Sequence, residues 1–398
     1  MKYALFYTVL ALAVAMGATT TDAQTGLEAS WDKGLRFQSE DGSFKLKIGG
    51  RIQNDWAFFN QEDAHEAAFG NWQDGTEFRR TRLRISGTVY DNVIFKAQYD
   101  WAGGETSLKD MYIGIDDIPG VGKVIAGRQY EPFGLETITS DNYITFMERS
   151  VTAALVPDRQ GGILAQRTFA GKRVTAAAGI FRDTNDGGEG SGDGSYAGTA
   201  RVTALPWHEE GRGLLHIGAA YSYRSPSGDI EYESKPEAHL GSTSIETGAI
   251  APEAVSLVGV EAALIAGPVS VQGEAILAAV DDDVTGDPEF FAYYGYGSFF
   301  ITGESRGYKT SSGKFDRVEP RKNFREDGTG SGAVELAVRV AVLDLNAAPV
   351  LGGEMTDITL GVNWYLNPNT RVMVNYIRSD VDNIGVANVV QTRFQIDF

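Results

Sequence analysis

Cysteine is absent from this sequence, and histidine occurs only four times in 398 residues. Without cysteine there is no disulfide framework, no thiol nucleophile and no thiolate metal site. No two histidines lie four residues apart, which excludes the H-E-x-x-H zinc motif. No nucleophile motif accompanies the histidines either. We therefore predict no enzyme activity, no cofactor and no metal site.

A long hydrophobic run is found only at the N-terminus. Lys2 precedes an apolar stretch from Ala4 to Ala15, and Thr21-Asp22-Ala23 follows as a small-x-small cleavage site. This order is typical of a secretory signal peptide, which we place at residues 1–23. No later run reaches the roughly 20 apolar residues that a spanning helix needs. The sequence therefore predicts an exported protein without a membrane helix.

Basic residues are in the minority. The chain has 35 lysines and arginines against 53 acidic residues, a formal net charge of −18 and a pI near 4.7. This balance argues against a general nucleic-acid-binding protein. Glycine, at 48 residues, and aromatic residues, at 11%, favour an all-β composition. The acidic loop segments 183–193 and 281–283 have no EF-hand spacing, and we interpret them as solvated surface loops. Calcium binding, or cation bridging to lipopolysaccharide, is the alternative.

Alternation of apolar and polar residues extends along most of the chain. Phe44, Leu46 and Ile48, for example, alternate with Lys45 and Lys47. About sixteen such segments can be counted, most of roughly 9 to 15 residues, which is near the length that a tilted membrane strand requires. The segments begin near residues 44, 78, 93, 108, 122, 162, 172, 195, 213, 254, 268, 290, 331, 354, 370 and 389.

Strands of this length predict an all-β fold, a sixteen-stranded antiparallel transmembrane β-barrel over residues 44–398 in the bacterial outer membrane. An N-terminal periplasmic segment is predicted at 24–43. A secreted β-sandwich or β-propeller would alternate as well, but over shorter strands. Residues 303–330 would be either an unusually long periplasmic connection or hidden strand extensions. Tight turns alternate with longer polar stretches, predicted as extracellular loops, at 59–77, 131–161, 183–194, 225–253, 280–289 and 380–388.

Arginine is concentrated in the stretch FRRTRLRISG at residues 78–87. Arg80, Arg82 and Arg84 share one face of the predicted strand, and the opposite face is mostly apolar. Because apolar residues of a barrel face lipid, these three arginines are expected to face the lumen. Arg79, of opposite parity, is expected at a membrane interface or beyond it. The neighbouring strands extend this basic wall with Lys45, Lys47, Arg51 and Lys96.

The segment 131–161 is the best candidate for a constriction, because a loop of this length is commonly functional or disordered. It contains Glu148, Arg149 and Arg159. An external flap is the alternative interpretation of this loop. For the arginines of residues 78–87, the alternative to contact with a solute is ionic bracing of the barrel wall against loop carboxylates such as Glu148.

Several stretches, taken in chain order, resemble the phosphate-selective porin O and P family. They are GSFKLKIGGRIQNDWAFF (42–59), FRRTRLRISG (78–87), GRQYEPFGLE (127–136), ITFMERS (144–150), ITGESRGYKTSSGKF (301–315), GAVELAVRV (332–340) and LGVNWYLNPNTRVMVNY (360–376). The resemblance implies a sixteen-stranded trimeric outer-membrane channel with a third extracellular loop folded into the lumen. It also implies a ladder of arginines and lysines that guides phosphate-like anions.

The function expected from these features is a porin, a passive diffusion channel for small anions such as phosphate or polyphosphate. The expected partners are these anions, outer-membrane lipid and lipopolysaccharide, and further copies of the chain in a homotrimer, but no nucleic acid. The candidate pore or anion-binding residues are Lys45, Lys47, Arg51, Arg80, Arg82, Arg84, Lys96, Arg128, Arg149 and Arg159.

Acidic residues on the later strands complicate this expectation. Glu261, Glu274 and Glu335 also have lumenal parity, and we expect them to pair with arginines such as Arg201 or Arg339. A lumen of mixed charge would weaken anion selectivity. A general or weakly cation-preferring porin for small hydrophilic solutes is therefore the alternative function.

Overall fold

The structure is a computed structural model that describes residues 26–210 and 212–398. The signal peptide predicted at 1–23 lies outside the described residues. Within the described ranges, no helix is both long enough and apolar enough to cross a membrane.

The described chain begins with a hairpin and continues into a closed ring of strands. The hairpin consists of β1 (Leu27–Trp31) and β2 (Leu35–Ser39), and it occupies most of the predicted periplasmic segment. Sixteen further long strands of the described residues form the ring. They are β3 (Lys45–Gln61), β4 (Gly75–Val89), β5 (Val93–Asp100), β6 (Ser107–Ile118), β7 (Gly122–Tyr130), β8 (Arg159–Phe169), β9 (Val174–Arg182), β10 (Tyr196–Glu209), β11 (Gly213–Ser225), β14 (Ala254–Ala266), β15 (Val269–Asp281), β16 (Glu289–Phe300), β19 (Ala333–Ala347), β20 (Val350–Asn367), β21 (Thr370–Val381) and β22 (Gly385–Asp397).

The ring is antiparallel, and it closes on itself. Each barrel strand pairs with the next barrel strand along the chain, and β22 pairs with β3 from Ala387 opposite Gln61 to Asp397 opposite Arg51. Closure leaves no free strand edge in the ring, as a membrane interior requires. The predicted sixteen-stranded barrel is confirmed, and its strands begin at or near the residues that the alternation predicted.

Short elements occur in the connections. Two small hairpins, β12–β13 and β17–β18, lie in the connections 226–253 and 301–332. Their bounds are β12 (Glu233–Ser234), β13 (Ile245–Glu246), β17 (Gly307–Lys309) and β18 (Lys314–Asp316). Short α-helices span Asp63–Phe69 and Leu135–Ile138, and 3-10 turns span Ala102–Gly104, Val151–Leu155 and Glu326–Gly328. Residues 303–330 are thus a long connection rather than strand extensions.

Two of the predicted extracellular loops pack inside the ring. In the loop 131–158, the backbone N–H of Leu135 donates to Glu274 on β15 at 2.7 Å, and the carbonyl of Thr145 accepts from Asn363 on β20 at 2.7 Å. In the loop 226–253, the carbonyl of Glu237 accepts from Gln391 on β22 at 2.9 Å. Since these strands lie at different points around the ring, both loops cross the lumen.

Apolar contacts hold the loop 131–158 against one side of the barrel. Phe133 and Phe146 of the loop are fully buried in a cluster with inward-facing residues of β14 to β20 such as Leu257, Phe290 and Leu343. Burial of a Phe or Leu side chain contributes roughly 1.5–3 kcal/mol. This half of the lumen is therefore filled, and open space is left on the side of β3 to β10.

Candidate functional site

An open cavity of about 440 Å³ lies on the β3–β10 side of the lumen. Besides the barrel strands, the inward loop 131–158 and the hairpin β17–β18 contribute to its lining. Among the described residues, the basic side chains that line it are Arg51, Arg84, Lys96, Lys123, Arg159, Arg201, Lys309 and Lys314, and the acidic ones are Asp110, Glu131, Asp141 and Asp316. The lining is thus basic on balance, although the whole chain is acidic.

A second cavity of about 600 Å³ continues from the first at the end of the barrel that carries the short turns, which is the end predicted to be periplasmic. The two cavities share Lys123, Gln166, Lys309 and Ser312 as lining residues. The second one is otherwise bordered by the periplasmic turn after β6 and the one after β8. The open space therefore continues from mid-barrel toward the periplasmic turns.

Asp141 of the inward loop is the centre of an arginine cluster. Its Oδ2 lies 3.2 Å from Arg51 Nη1, 3.2 Å from Arg80 Nε and 2.8 Å from Arg82 Nη1. Its Oδ1 lies 2.6 Å from Arg149 Nη2. Burial alone would raise the pKa of this loop carboxyl group, but the surrounding guanidinium groups hold the pKa well below its usual range. One carboxylate thus compensates wall arginines from two adjacent strands.

The position of Arg79 differs from the sequence expectation. The pairing of β3 with β4 shifts by one residue, so that Gln53 faces Arg80 while Asn54 faces Phe78. Arg79 is the extra residue of this β-bulge, and a bulge re-aims the side chain next to it. Phe78 is 59% exposed on the lipid side, whereas Arg79 turns inward to Glu148. The expectation that Arg79 faces away from the lumen, which had placed it at a membrane interface or beyond it, was therefore wrong.

Glu148 is the second carboxylate of the loop that compensates wall arginines. Besides Arg79, it contacts Arg80 Nη2 at 3.6 Å and Arg393 Nη2 at 2.6 Å. Burial opposes ionisation of Glu148 as well, but the guanidinium groups of Arg79, Arg80 and Arg393 hold its pKa well below the usual range. Arg80 and Arg82 are 3% and 8% exposed, and neither lines the cavity. Arg80 and Arg82 therefore make the contacts expected if these arginines brace the barrel wall against carboxylates of the loop.

Arg84 differs from the other arginines of this strand. It is half-buried and lines the cavity, and it forms no ion pair among the residues described here. Lys309 and Lys314 also line the cavity and form no ion pair within the described chain, although Lys314 Nζ donates to the carbonyl of Ile138 at 3.1 Å. These three cations are the ones that remain available to a solute.

Lys96 and Arg159 line the cavity as a compensated group. Both pair with Asp110, and the distance from Arg159 Nε to Asp110 Oδ1 is 2.6 Å. The guanidinium of Arg159 lies over the ring of Tyr130, 3.7 Å from its centroid. Within the cavity one carboxylate faces two cations, and the exposed Asp158, which lies 3.6 Å from Arg159 Nη1 and does not line the cavity, compensates part of the remaining positive charge.

The four other candidate residues lie away from the cavity. Arg128 donates to backbone carbonyls and pairs with Asp186 of the loop after β9 at 3.2 Å. Arg149 donates to three carbonyls within its own loop. Lys47 donates to the carbonyl of Asp32 at 3.0 Å, and Lys45 is exposed at the start of β3. These side chains hold loops or lie at the periplasmic rim.

The connection 301–332 contributes to the cavity, which the sequence did not predict. Arg201 Nη2 donates to the carbonyl of Gly313 at 2.9 Å, and His216 Nδ1 lies 2.6 Å from the hydroxyl oxygen of Tyr308. These contacts draw the hairpin β17–β18 into the barrel and bring Lys309 and Lys314 to the cavity. The sequence KTSSGK at 309–314 indicates a turn, but it does not indicate that the turn lies inside the barrel.

Of the three glutamates that were expected to pair with arginines, one does so. Glu261 pairs with Arg201, as predicted, and its Oε1 also lies 2.8 Å from His216 Nε2. Glu274 instead accepts from the backbone N–H groups of the helix Leu135–Ile138, and Glu335 is bound by neutral side chains. The prediction was wrong for these two residues. In the part of the chain that is described, no cluster of three metal-binding side chains occurs.

The closed barrel with inward-folded loops and a polar cavity defines a porin of the bacterial outer membrane. The chain belongs to the family described as phosphate-selective porin O and P, which matches residues 46–398. Porin O of Pseudomonas aeruginosa is 28% identical over 430 residues, covering 96% of this chain and 95% of that protein. An uncharacterized protein of Caulobacter vibrioides is 29% identical over 401 residues, covering 94% and 78%.

Solved structures agree on the fold. The outer membrane channel DcaP of Acinetobacter baumannii matches with a TM-score of 0.57 at 13% identity, covering 91% of this chain and 99% of that one. The anion-selective porin from Comamonas acidovorans matches with 0.56 at 13% identity, covering 89% and 100%. The trimer form of OmpT from Vibrio cholerae matches with 0.54 at 12% identity, covering 89% and 100%.

Proposed function

We propose that this porin is a passive diffusion channel for small anions, with phosphate and short polyphosphates as the preferred solutes. The observation that carries the proposal is the basic lining of the 440 Å³ cavity, in a barrel whose opposite half is filled by apolar loop contacts. An anion that crosses the barrel must pass this lining. Membership in the phosphate-selective family supports the same solute class.

The lining cations have two roles in this proposal. Arg84, Lys309 and Lys314 contact the solute directly, since they form no ion pair among the described residues. Arginine can bind phosphate through two parallel hydrogen bonds, and lysine acts as a point charge. The compensated group of Lys96, Arg159 and Asp110 adds a weaker positive field. Several moderate sites in series suit conduction, because the solute must be able to leave each one.

The loop 131–158 sets the constriction in this proposal. Its carboxylates Asp141 and Glu148 fix it to the arginines of β3 and β4, while Phe133 and Phe146 fix it to the other side. Arg80 and Arg82 therefore act on selectivity through the position of the loop. The proposed ladder is thus shorter than the sequence expectation and extends downward along the hairpin β17–β18.

A general or weakly cation-preferring porin is the second candidate. The specific observation in its favour is the set of carboxylates in the same cavity, among them Glu131 and Asp316. A homotrimer in contact with outer-membrane lipid and lipopolysaccharide is also proposed, and the trimer form of the Vibrio cholerae neighbour supports it. Mass measurement in detergent tests the trimer, since a monomer alone would contradict it.

The experiment is the replacement of the uncompensated cations, Arg84→Gln together with Lys314→Gln, in single channels in planar lipid bilayers. A charged hydrogen bond contributes roughly 1.5–3 kcal/mol, so phosphate block of the chloride current should weaken by at least about tenfold. The reversal potential in a KCl gradient should move toward cation preference.

Arg378→Gln is the matched control, because Arg378 faces outward and pairs with Asp380 at 3.0 Å away from the cavity. Combined with Arg212→Gln, at an exposed pair with Glu209, it removes the same two positive charges and should change neither the phosphate block nor the reversal potential. Wild-type block in the double variant of the cavity cations would refute the proposed solute contacts. A wild-type channel that already prefers cations would favour the second candidate.

A further inference from the structure

The hairpin β1–β2 extends the outer face of the barrel at its periplasmic end. Leu35 lies opposite Ile48 of β3, and Phe37 lies opposite Leu46. Directly paired residues point to the same face of a sheet. Leu46 and Ile48 have the parity of Ile52, which faces lipid. The apolar face of the hairpin is therefore continuous with the lipid-facing surface.

The same face continues onto β1. Ala29 pairs with Phe37, and Trp31 pairs with Leu35. Trp31 is 65% exposed and Leu27 is 63% exposed, which is more than the lipid-facing Trp56 at 46%. The opposite face of the hairpin is polar, and its members are Glu28, Ser30, Arg36 and Gln38. The hairpin thus has one apolar and one polar face, and nothing in the described chain covers the apolar one.

Two contacts orient the hairpin against the barrel. Lys47 Nζ donates to the carbonyl of Asp32 at 3.0 Å, and Lys33 pairs with Glu319 of the connection 301–332, while the pair of Arg36 with Asp32 at 2.6 Å lies within the hairpin. The first two bonds attach the turn to the periplasmic mouth. The apolar face is left pointing outward.

The depth of the hairpin agrees with a membrane boundary. Ile48 and Phe58 are ten residues apart on β3, and at the usual rise and tilt of a barrel strand this corresponds to about 25 Å, the height of the apolar band. With the exposed Phe58 at the upper edge of the band, Ile48 lies at its lower edge. Phe44, four residues nearer the N-terminus, packs edge to face on Tyr90 with ring centroids 4.8 Å apart. Aromatic residues are typical of this level.

We propose that the hairpin β1–β2 is a membrane-interface element, with Leu27, Ala29, Trp31, Leu35 and Phe37 in the headgroup–acyl boundary of the periplasmic leaflet. Among the described strands, β1 pairs only with β2, so its outer backbone edge is unpaired. An unpaired edge is excluded from the hydrocarbon but can be satisfied by headgroups and water at the boundary. The proposal concerns the lipid contact and does not depend on the solute.

The absence of cysteine makes the test direct. Single substitutions Ala29→Cys and Ser30→Cys place a nitroxide label on the apolar and the polar face, one residue apart. Both variants are reconstituted in phosphatidylethanolamine–phosphatidylglycerol vesicles, and collisions with oxygen and with a water-soluble nickel chelate are measured by electron paramagnetic resonance. Channel conductance verifies that each labelled protein is folded.

The expected result is at least a severalfold higher ratio of oxygen to nickel accessibility at position 29 than at position 30. Equal, high nickel accessibility at both positions would place the hairpin in water and overturn the proposal. Low accessibility of position 29 to both reagents, with a short label-to-label distance, would identify a second copy of the chain as the occupant and overturn it as well. Normal conductance in either case would leave the channel function intact.

Discussion

Arg79 and Glu148 form a two-point ion pair between the barrel wall and the inward loop. Arg79 Nε donates to Glu148 Oε1 at 3.0 Å, and Arg79 Nη2 donates to Glu148 Oε2 at 3.0 Å. This geometry uses the planar fork of the guanidinium and is stronger than a single contact. The pair depends on a β-bulge, because a regular strand would point Arg79 at lipid.

Arg79→Gln should therefore destabilise the folded barrel. Both partners are mostly buried, with side chains 20% and 12% exposed, and Glu148 keeps Arg80 and Arg393 as partners, so the loss is that of a charged hydrogen bond, about 1.5–3 kcal/mol. We expect a decrease of this order in the free energy of unfolding, measured by urea titration in liposomes. The control is Arg212→Gln, whose pair with Glu209 is exposed and should contribute less than about 1 kcal/mol. Equal effects of the two substitutions would contradict the bracing role.

Asp141→Asn should make the channel more anion-selective. The carboxylate compensates the arginines at positions 51, 80, 82 and 149, and its removal leaves their charge in place. Two unit charges 4 Å apart interact by about 1 kcal/mol even at the dielectric constant of water. The anion-to-cation permeability ratio should therefore rise about fivefold. Reversal potentials in a KCl gradient measure this ratio.

Asp193→Asn provides the comparison, because Asp193 carries the same charge in an exposed loop. Charges on such loops are screened over about 8–10 Å at physiological salt, and the ratio should not change. An unchanged permeability ratio in Asp141→Asn would contradict the assignment of Asp141 as the carboxylate that compensates these arginines.

The sequence predicted the strands because alternation with a period of two is a local property of the chain. Alternation predicts the wrong face for Arg79, because one inserted residue reverses the facing of the residues on either side of it. The lumenal interior depends on contacts that are remote in sequence: Arg51 and Asp141 are 90 residues apart. No local pattern states whether a polar loop folds inward, and so Lys314 could not be assigned to the cavity from the sequence.

Tyr308→Phe should loosen the hairpin β17–β18. The Tyr308 hydroxyl lies 2.6 Å from His216 Nδ1, and its loss leaves the hairpin attached through Arg201, Lys314 and the buried Phe315. A hydrogen bond contributes about 1 kcal/mol, so displaced states should be populated about fivefold more often. They should be visible as more frequent high-conductance sublevels in single-channel records.

Tyr376→Phe removes a hydroxyl of the same kind on the outer surface, where Tyr376 lies 2.7 Å from Asn388 Oδ1. It should leave the sublevels unchanged. Identical records for wild type and Tyr308→Phe would show that the hairpin is held by other contacts.

Gly50→Ala should impair barrel closure, because Gly50 is where the chain terminus joins the first barrel strand. The N–H of Gly50 donates to the Phe398 carbonyl at 2.7 Å, and the N–H of Phe398 donates back at 3.0 Å. A Cβ at position 50 would lie 2.8 Å from the Phe398 ring and 2.6 Å from the carbonyl oxygen of Arg82. One of these groups must shift, and the closing pair of strands is weakened.

The fraction of heat-modifiable, folded protein after refolding into liposomes should therefore fall for Gly50→Ala and for deletion of Phe398. Gly295→Ala is the matched control, since Gly295 lies within β16 and a Cβ there meets nothing within 4 Å. It should fold like wild type. If Gly50→Ala also folds like wild type while deletion of Phe398 does not, the terminal residue acts in assembly through something other than its contact with Gly50. If neither change lowers the folded fraction, closure at this seam does not limit assembly.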